Sequence, residues 1–213
     1  MSIQVFLPQD EIFGKRYEDW IAYFWNNFGT KRFWLRGPVF ICPGKIPDQE
    51  IANTVNKLYG FGTSKTVIPD HRKFKIDSNK AILFSPMCMF QAAPKSEPYN
   101  KEDLKSFVHM RMTNVGPINI TLDGHEIRNK LVRVATDIFT LDGKYDAVSD
   151  GYWLFIKPDE LEDGIHTINA HAICAAGTTK VPNYITLDIR DNGSAAANWL
   201  FNDKPQVSVK ERG

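Results

Sequence analysis

His166 and His171 lie five residues apart in the apolar, β-prone run Ile165–Cys174, and they are the first place to look for a shared divalent metal. Side chains of a regular strand alternate faces, so residues five apart look to opposite sides, and two ligands on one metal would need a bulge between them. An H-x-H pair would satisfy that geometry directly, and this is not one. Taken alone, His166 is a hydrogen-bonded residue just after the Asp163-Gly164 turn. Taken as a reactive group, it pairs with a carboxylate or another histidine from a different strand; His71, His109, His125, Asp137 and Asp150 are available. That pairing would give an acid/base or a mixed metal site at the mouth of a β-sandwich. No cofactor is expected, and a divalent metal is the alternative.

Asp150-Gly151-Tyr152-Trp153 is the second chemical block. An Asp before Gly at the start of an aromatic strand fits a turn in which the carboxylate caps backbone N–H groups. The functional alternative uses Asp150 or Tyr152 with His166 as acid/base groups, and Tyr152 or Trp153 as a stacking platform for a sugar or other flat ligand, provided that the ring is exposed. Trp34, within Lys31-Arg32-Phe33-Trp34-Leu35-Arg36, raises the same question. Basic and aromatic residues alternate there as they do in small anion-binding patches and also in solvated strand edges. Cys42, Cys88 and Cys174 are widely spaced and form no C-x-x-C, so they are expected to be buried apolar thiols rather than zinc ligands. The phosphate-cradling loop, the nucleophile elbow, the dinucleotide fingerprint and H-E-x-x-H are all missing from the sequence.

The elements that must position these residues come from hydrophobic period. Tyr17, Trp20, Ile21, Phe24 and Phe28 fall on one face of a helix over 14–28, stopped by Gly29. Trp25 lies at the edge of that stripe. A strand is expected around 38–42, a short helix over 47–59, a loop over 60–79, and a buried strand over 80–89. A loop follows over 91–100, then a second short helix to His109 with Leu104, Phe107 and Val108 inward. From 115 to 190 the period becomes two. Ile118, Ile120 and Leu122 run into Asp123-Gly124, the turn chemistry of a type I′ hairpin, with a return strand over 125–128. Further strands are expected over 131–141, 152–157, 165–174 and 183–190, with one more edge strand over 206–210. Short strands separated by Asp-Gly and Pro turns predict one mainly β domain over 1–213. It is an antiparallel β-sandwich, Ig-like or jelly-roll-like, with an aromatic N-terminal helix packed on it.

Several blocks resemble a family of uncharacterised, mostly bacterial proteins. Tyr17-Glu18-Asp19-Trp20 with Phe24-Trp25 is similar to its Y-x-E/D-W opening, and Gly37-Pro38-Val39-Phe40 to its Gly-Pro-Val-aromatic strand. Lys80–Pro86, Ala147–Trp153 and Gly164–Ile168 are similar to its K-A-I-F-F-P, A-V-x-D-G-Y-W and G-x-H-T-I segments. The matches are collinear from about residue 14 to 190. The resemblance implies a sandwich fold and brings no activity with it.

The chain of 213 residues carries 26 Lys+Arg against 25 Asp+Glu, a formal net charge of +1, which lacks the electrostatic footprint of a nucleic-acid binder. No apolar stretch reaches the length of a membrane-spanning helix. The N-terminus shows no basic, apolar and small-residue succession, so a soluble, cytoplasmic protein is expected, or a secreted one if a leader has been removed. Together these features point to a non-catalytic binding or assembly protein whose sandwich loops or exposed edges contact a partner, a protein or a small-molecule ligand. The rivals are an enzyme built on His166 and a self-assembling structural subunit, a homo-oligomer.

Overall fold

The computed structural model describes residues 3–27, 37–42, 71–173 and 180–191. In chain order the elements are β1 (Glu11–Ile12), β2 (Lys15–Arg16), α1 (Tyr17–Asn27), β3 (Val39–Ile41), β4 (His71–Asp77), β5 (Ala81–Pro94) and α2 (Lys101–Thr113). They continue with β6 (Asn119–Leu122), β7 (His125–Glu126), a 3-10 turn (Arg128–Lys130), β8 (Val132–Ala135), β9 (Phe139–Leu141), β10 (Tyr145–Ile156), β11 (Gly164–Ile173) and β12 (Lys180–Arg190). The fold is mainly β, as expected, and takes the form of two facing sheets. Sheet one runs β3-β5-β10-β8, with β9 also on β10; sheet two runs β4-β12-β11-β6-β7. Most pairs are antiparallel, but the edge strands β3 and β4 join β5 and β12 in parallel.

Alternation sorts the side chains into layers. Phe40, Ile82, Phe84, Leu154 and Ile156 of sheet one meet Ile76, Ile120, Leu122, Ile168, Ile185, Leu187 and Ile189 of sheet two. Each large apolar side chain buried here contributes about 1.5–3 kcal/mol of gross transfer free energy. The opposite face of sheet one is covered by α1, whose Tyr17, Trp20, Ile21, Phe24 and Trp25 pack on Val39, Ile41, Leu83, Trp153 and Phe155. Trp25, expected at the stripe edge, is buried because its Nε1 donates to Ser149 Oγ (2.8 Å) in the sheet below. The long strands β5 and β10 extend past sheet two, and there α2 takes its place, through Leu104 and Val108 over Val148 and Met112 beside Met87.

The helix over 14–28 starts later than expected. Lys15 and Arg16 instead pair with Glu11 and Ile12 across Phe13 and Gly14, whose φ values of 50° and 74° close a tight hairpin without an Asp or Asn to announce it. Residues 71–77, expected as loop, form a strand because Phe74 and Ile76 alternate with Lys73 and Lys75. The strand expected over 80–89 runs on to Pro94, since β10 supplies a partner along its full length. The 131–141 run is two strands along one edge of β10, with the register slipping by one residue between Ala135↔Asp150 and Phe139↔Ala147. Phe107, expected inward, is 38% exposed, and Met112 takes its place, one turn beyond Val108. Phe28, Trp34, Cys174 and the elements expected at 47–59 and 206–210 lie outside the described residues.

Candidate functional site

The central strands β5 and β10 carry the chemical residues. Their register slips between Phe84↔Leu154 and Met87↔Tyr152, so Ser85-Pro86 supplies one extra residue to β5. A bulge is where a proline, lacking an N–H for the ladder, is tolerated. Ser85 Oγ fastens it by donating to the Tyr152 carbonyl at 2.8 Å. Beyond the bulge, the pleat divides the Asp150–Trp153 block between two layers. Asp150 and Tyr152 face the α2 side; Gly151 and Trp153 face α1.

This overturns two expectations. Asp150-Gly151 is not a turn but mid-strand, and Gly151 is there because Cys88 leaves no room: a Cβ would lie 2.5 Å from Cys88 Cβ. Trp153 is fully buried in the α1 core, packed edge-to-face on Phe24 at 5.6 Å, so it cannot be a stacking platform. Cys42 is buried, and burial pushes the Cys88 thiol up to about 12, far from a reactive value.

Asp150 is an internal anchor. Its carboxylate is 2% exposed and accepts a two-pronged contact from Arg133, Nε to Oδ1 at 3.0 Å and Nη2 to Oδ2 at 2.7 Å. Arg133 stands directly across the ladder from Tyr152. Its Nη2 also donates to the His109 carbonyl at 3.2 Å and approaches Thr113 Oγ1 at 3.4 Å, while His109 Nδ1 lies 3.4 Å from Asp150 Oδ2. His109 and Thr113 are one helical turn apart, so this cluster pins α2 to sheet one. Hydrogen bonding to Asp150 holds the Arg133 guanidinium above its ordinary pKa. The pair is charge-neutral and geometrically saturated.

His166 meets a different carboxylate. Its Nδ1 lies 2.7 Å from Asp123 Oδ2 and its Nε2 2.8 Å from the Glu162 carbonyl. Asp123, at φ 50° in the expected Asp-Gly hairpin turn, also accepts from Thr167 N at 2.7 Å. Burial pulls the His166 pKa down, but the hydrogen bonds to Asp123 and Glu162 outweigh it, and the ring is held above its ordinary value. With both nitrogens facing acceptors, the imidazolium is the form that satisfies the site. His171 is exposed on sheet two beside Tyr184, rings 5.4 Å apart, and shares no ligand with His166. Among the described residues, no group of His, Cys, Asp and Glu is arranged to hold a metal. His125 is exposed at the hairpin, and the side chain of His71 lies outside the described residues.

Two hollows flank α2. The first, about 310 Å³, lies between the segment leaving α2 and the segment entering β8, and is lined by Val115, Gly116, Pro117, Ile118, Arg128, Leu131 and Tyr152. The second, about 350 Å³, is lined by Gln91, Tyr99, Asn100, Asp103, Leu104 and Phe107. Beside it the Tyr99 hydroxyl donates to Asp146, a hydrogen bond that pushes the Tyr99 phenol up to about 12 and holds the Asp146 carboxyl below its usual range. Tyr152, singled out in the sequence, therefore reaches a cavity, whereas Arg128, Arg133 and Asp123 were not singled out as its companions or as partners of the other candidates, and His109, available in the sequence as a partner for His166, instead lies beside Asp150. Compared with family models, curated proteins and solved structures, the chain matches none.

Proposed function

We propose that the protein is a non-catalytic binding protein whose β-sandwich carries its ligand site at the surface rather than around a reactive histidine. The observation that supports this reading best is the saturation of His166. General acid–base work needs a nitrogen within reach of a substrate proton, and both of its nitrogens are committed to Asp123 and Glu162. Asp150 is committed to Arg133 in the same way. The hollows beside α2, by contrast, have walls built from several elements, as ligand sites do. Of the blocks that resemble the uncharacterised bacterial family, Ala147–Trp153 supplies one lining residue, Tyr152, and membership of that family is part of the proposal.

Metal analysis of the purified protein, paired with a His166→Ala variant, tests the reading. The expected result is no stoichiometric metal in either protein. Stoichiometric metal in the parent that is lost from a folded His166→Ala variant would replace the binding reading with the enzyme one.

A further inference from the structure

We propose that the 310 Å³ hollow at the end of α2 binds a small amphiphilic anion, an apolar body carrying one carboxylate-type head. This rests on the binding-protein reading and names the ligand class and the site.

The charge balance of the hollow carries the argument. Arg128 sits on the exposed 3-10 turn at the rim, and its guanidinium makes no ion pair or hydrogen bond among the described residues. The neighbouring cation, Arg133, is neutralised by buried Asp150. Among the described residues, no acidic residue lines the cavity. Among the described residues the hollow therefore presents one uncompensated positive charge with a planar fork of donors, the group best matched to a carboxylate.

The rest of the lining suits an apolar body. Ile118 is 5% exposed and belongs to the cluster of Met87, Met112 and Ala172, and Leu131 packs against the same cluster. Tyr152, half-buried, adds an amphipathic ring. The wall is fixed in place: Gly116 N donates to the Ile173 carbonyl at 3.0 Å, and a Cβ at Gly116 would come within 3.0 Å of Ile173 Cβ. A volume of about 310 Å³ is about ten waters' share of the liquid and sits at the small end of ligand pockets. That size admits a medium-chain or single-ring acid.

Calorimetric titration of the full chain with octanoate, octanol and octylammonium tests the site, using Arg128→Gln and, as a control for charge loss on the same turn, Lys130→Gln. Octanoate is expected to bind saturably at one site, with octanol and octylammonium much weaker. Arg128→Gln is expected to weaken octanoate about ten- to a hundredfold, the usual worth of a charged hydrogen bond, while Lys130→Gln binds as the parent does. The proposal is overturned by absence of saturable octanoate binding, by octanol binding as tightly as octanoate, or by unchanged affinity in Arg128→Gln. Each of those results leaves the binding reading to its own test, the metal analysis.

Discussion

Replacing Arg133 with methionine asks what the Asp150 contact is worth. The substitution keeps a long, unbranched side chain and removes both prongs, at 3.0 and 2.7 Å, from a carboxylate that is 2% exposed. What remains near the charge is His109 Nδ1 at 3.4 Å, on a side chain that is 67% exposed. Stranding one partner of a buried pair costs about 3–5 kcal/mol. Arg133 is itself 28% exposed, so some water reaches the carboxylate once it is gone, and the low end, about 3 kcal/mol, is expected. In a domain of this size that corresponds to a fall in Tm of about 6–12 °C. The second half of the cycle removes the carboxylate as well. In Arg133→Met with Asp150→Val no buried charge is left, so the pair is expected to lie well below the sum of the single losses. Urea unfolding followed by tryptophan fluorescence reads all of this, because Trp20, Trp25 and Trp153 are buried in the α1 layer. A loss under about 1 kcal/mol for Arg133→Met, or strictly additive losses in the double variant, would refute the anchor.

Three further outcomes are expected. The folded His166 pKa lies above its ordinary 6.5, so its stabilisation is complete below about pH 6.5 and is lost as pH rises through the folded value. Thermal melts across that range should show the fall in the parent and a flatter profile in His166→Gln; identical slopes would contradict it. Gly151→Ala places a Cβ 2.5 Å from Cys88 Cβ and 2.9 Å from its Cα, and overpacking against backbone should cost about 2 kcal/mol or more by urea unfolding. A variant as stable as the parent would show that β5 and β10 are not so close at this point. The Cys88 thiol, pushed up to about 12, should resist iodoacetamide in the native protein at about pH 8.5, where an ordinary thiol is half ionised. Peptide mass spectrometry showing Cys88 alkylated before unfolding would contradict the raised pKa of its thiol.

Local pattern made much of the fold legible. The aromatic stripe of α1 and the alternation in β6, β11 and β12 are visible because period and face are properties of a short segment. The Phe13-Gly14 hairpin was not legible, since a type I′ turn with Phe at its first position lacks the usual signature. The strand over 71–77 was hidden by the loop-like residues around it.

The site was less legible because it depends on register. His166 finds Asp123 because β11 pairs β6 with Ile168 opposite Leu122, which brings the hairpin turn beside Thr167. Arg133 finds Asp150 because it faces Tyr152 across β8 and β10, one diagonal step away. No spacing along the chain encodes either partner. The expectation for Trp153 failed for a related reason: the face of β10 that it occupies is decided by which layer α1 covers.

The protonation state of His166 is the most direct test of the account. Long-range proton–nitrogen NMR of the imidazole near pH 6.5, where an ordinary histidine is about half protonated, is expected to show hydrogens on both ring nitrogens and a midpoint displaced upward. A neutral ring with one bare nitrogen and an ordinary midpoint would free His166 for proton transfer and contradict its assignment as a closed internal clamp.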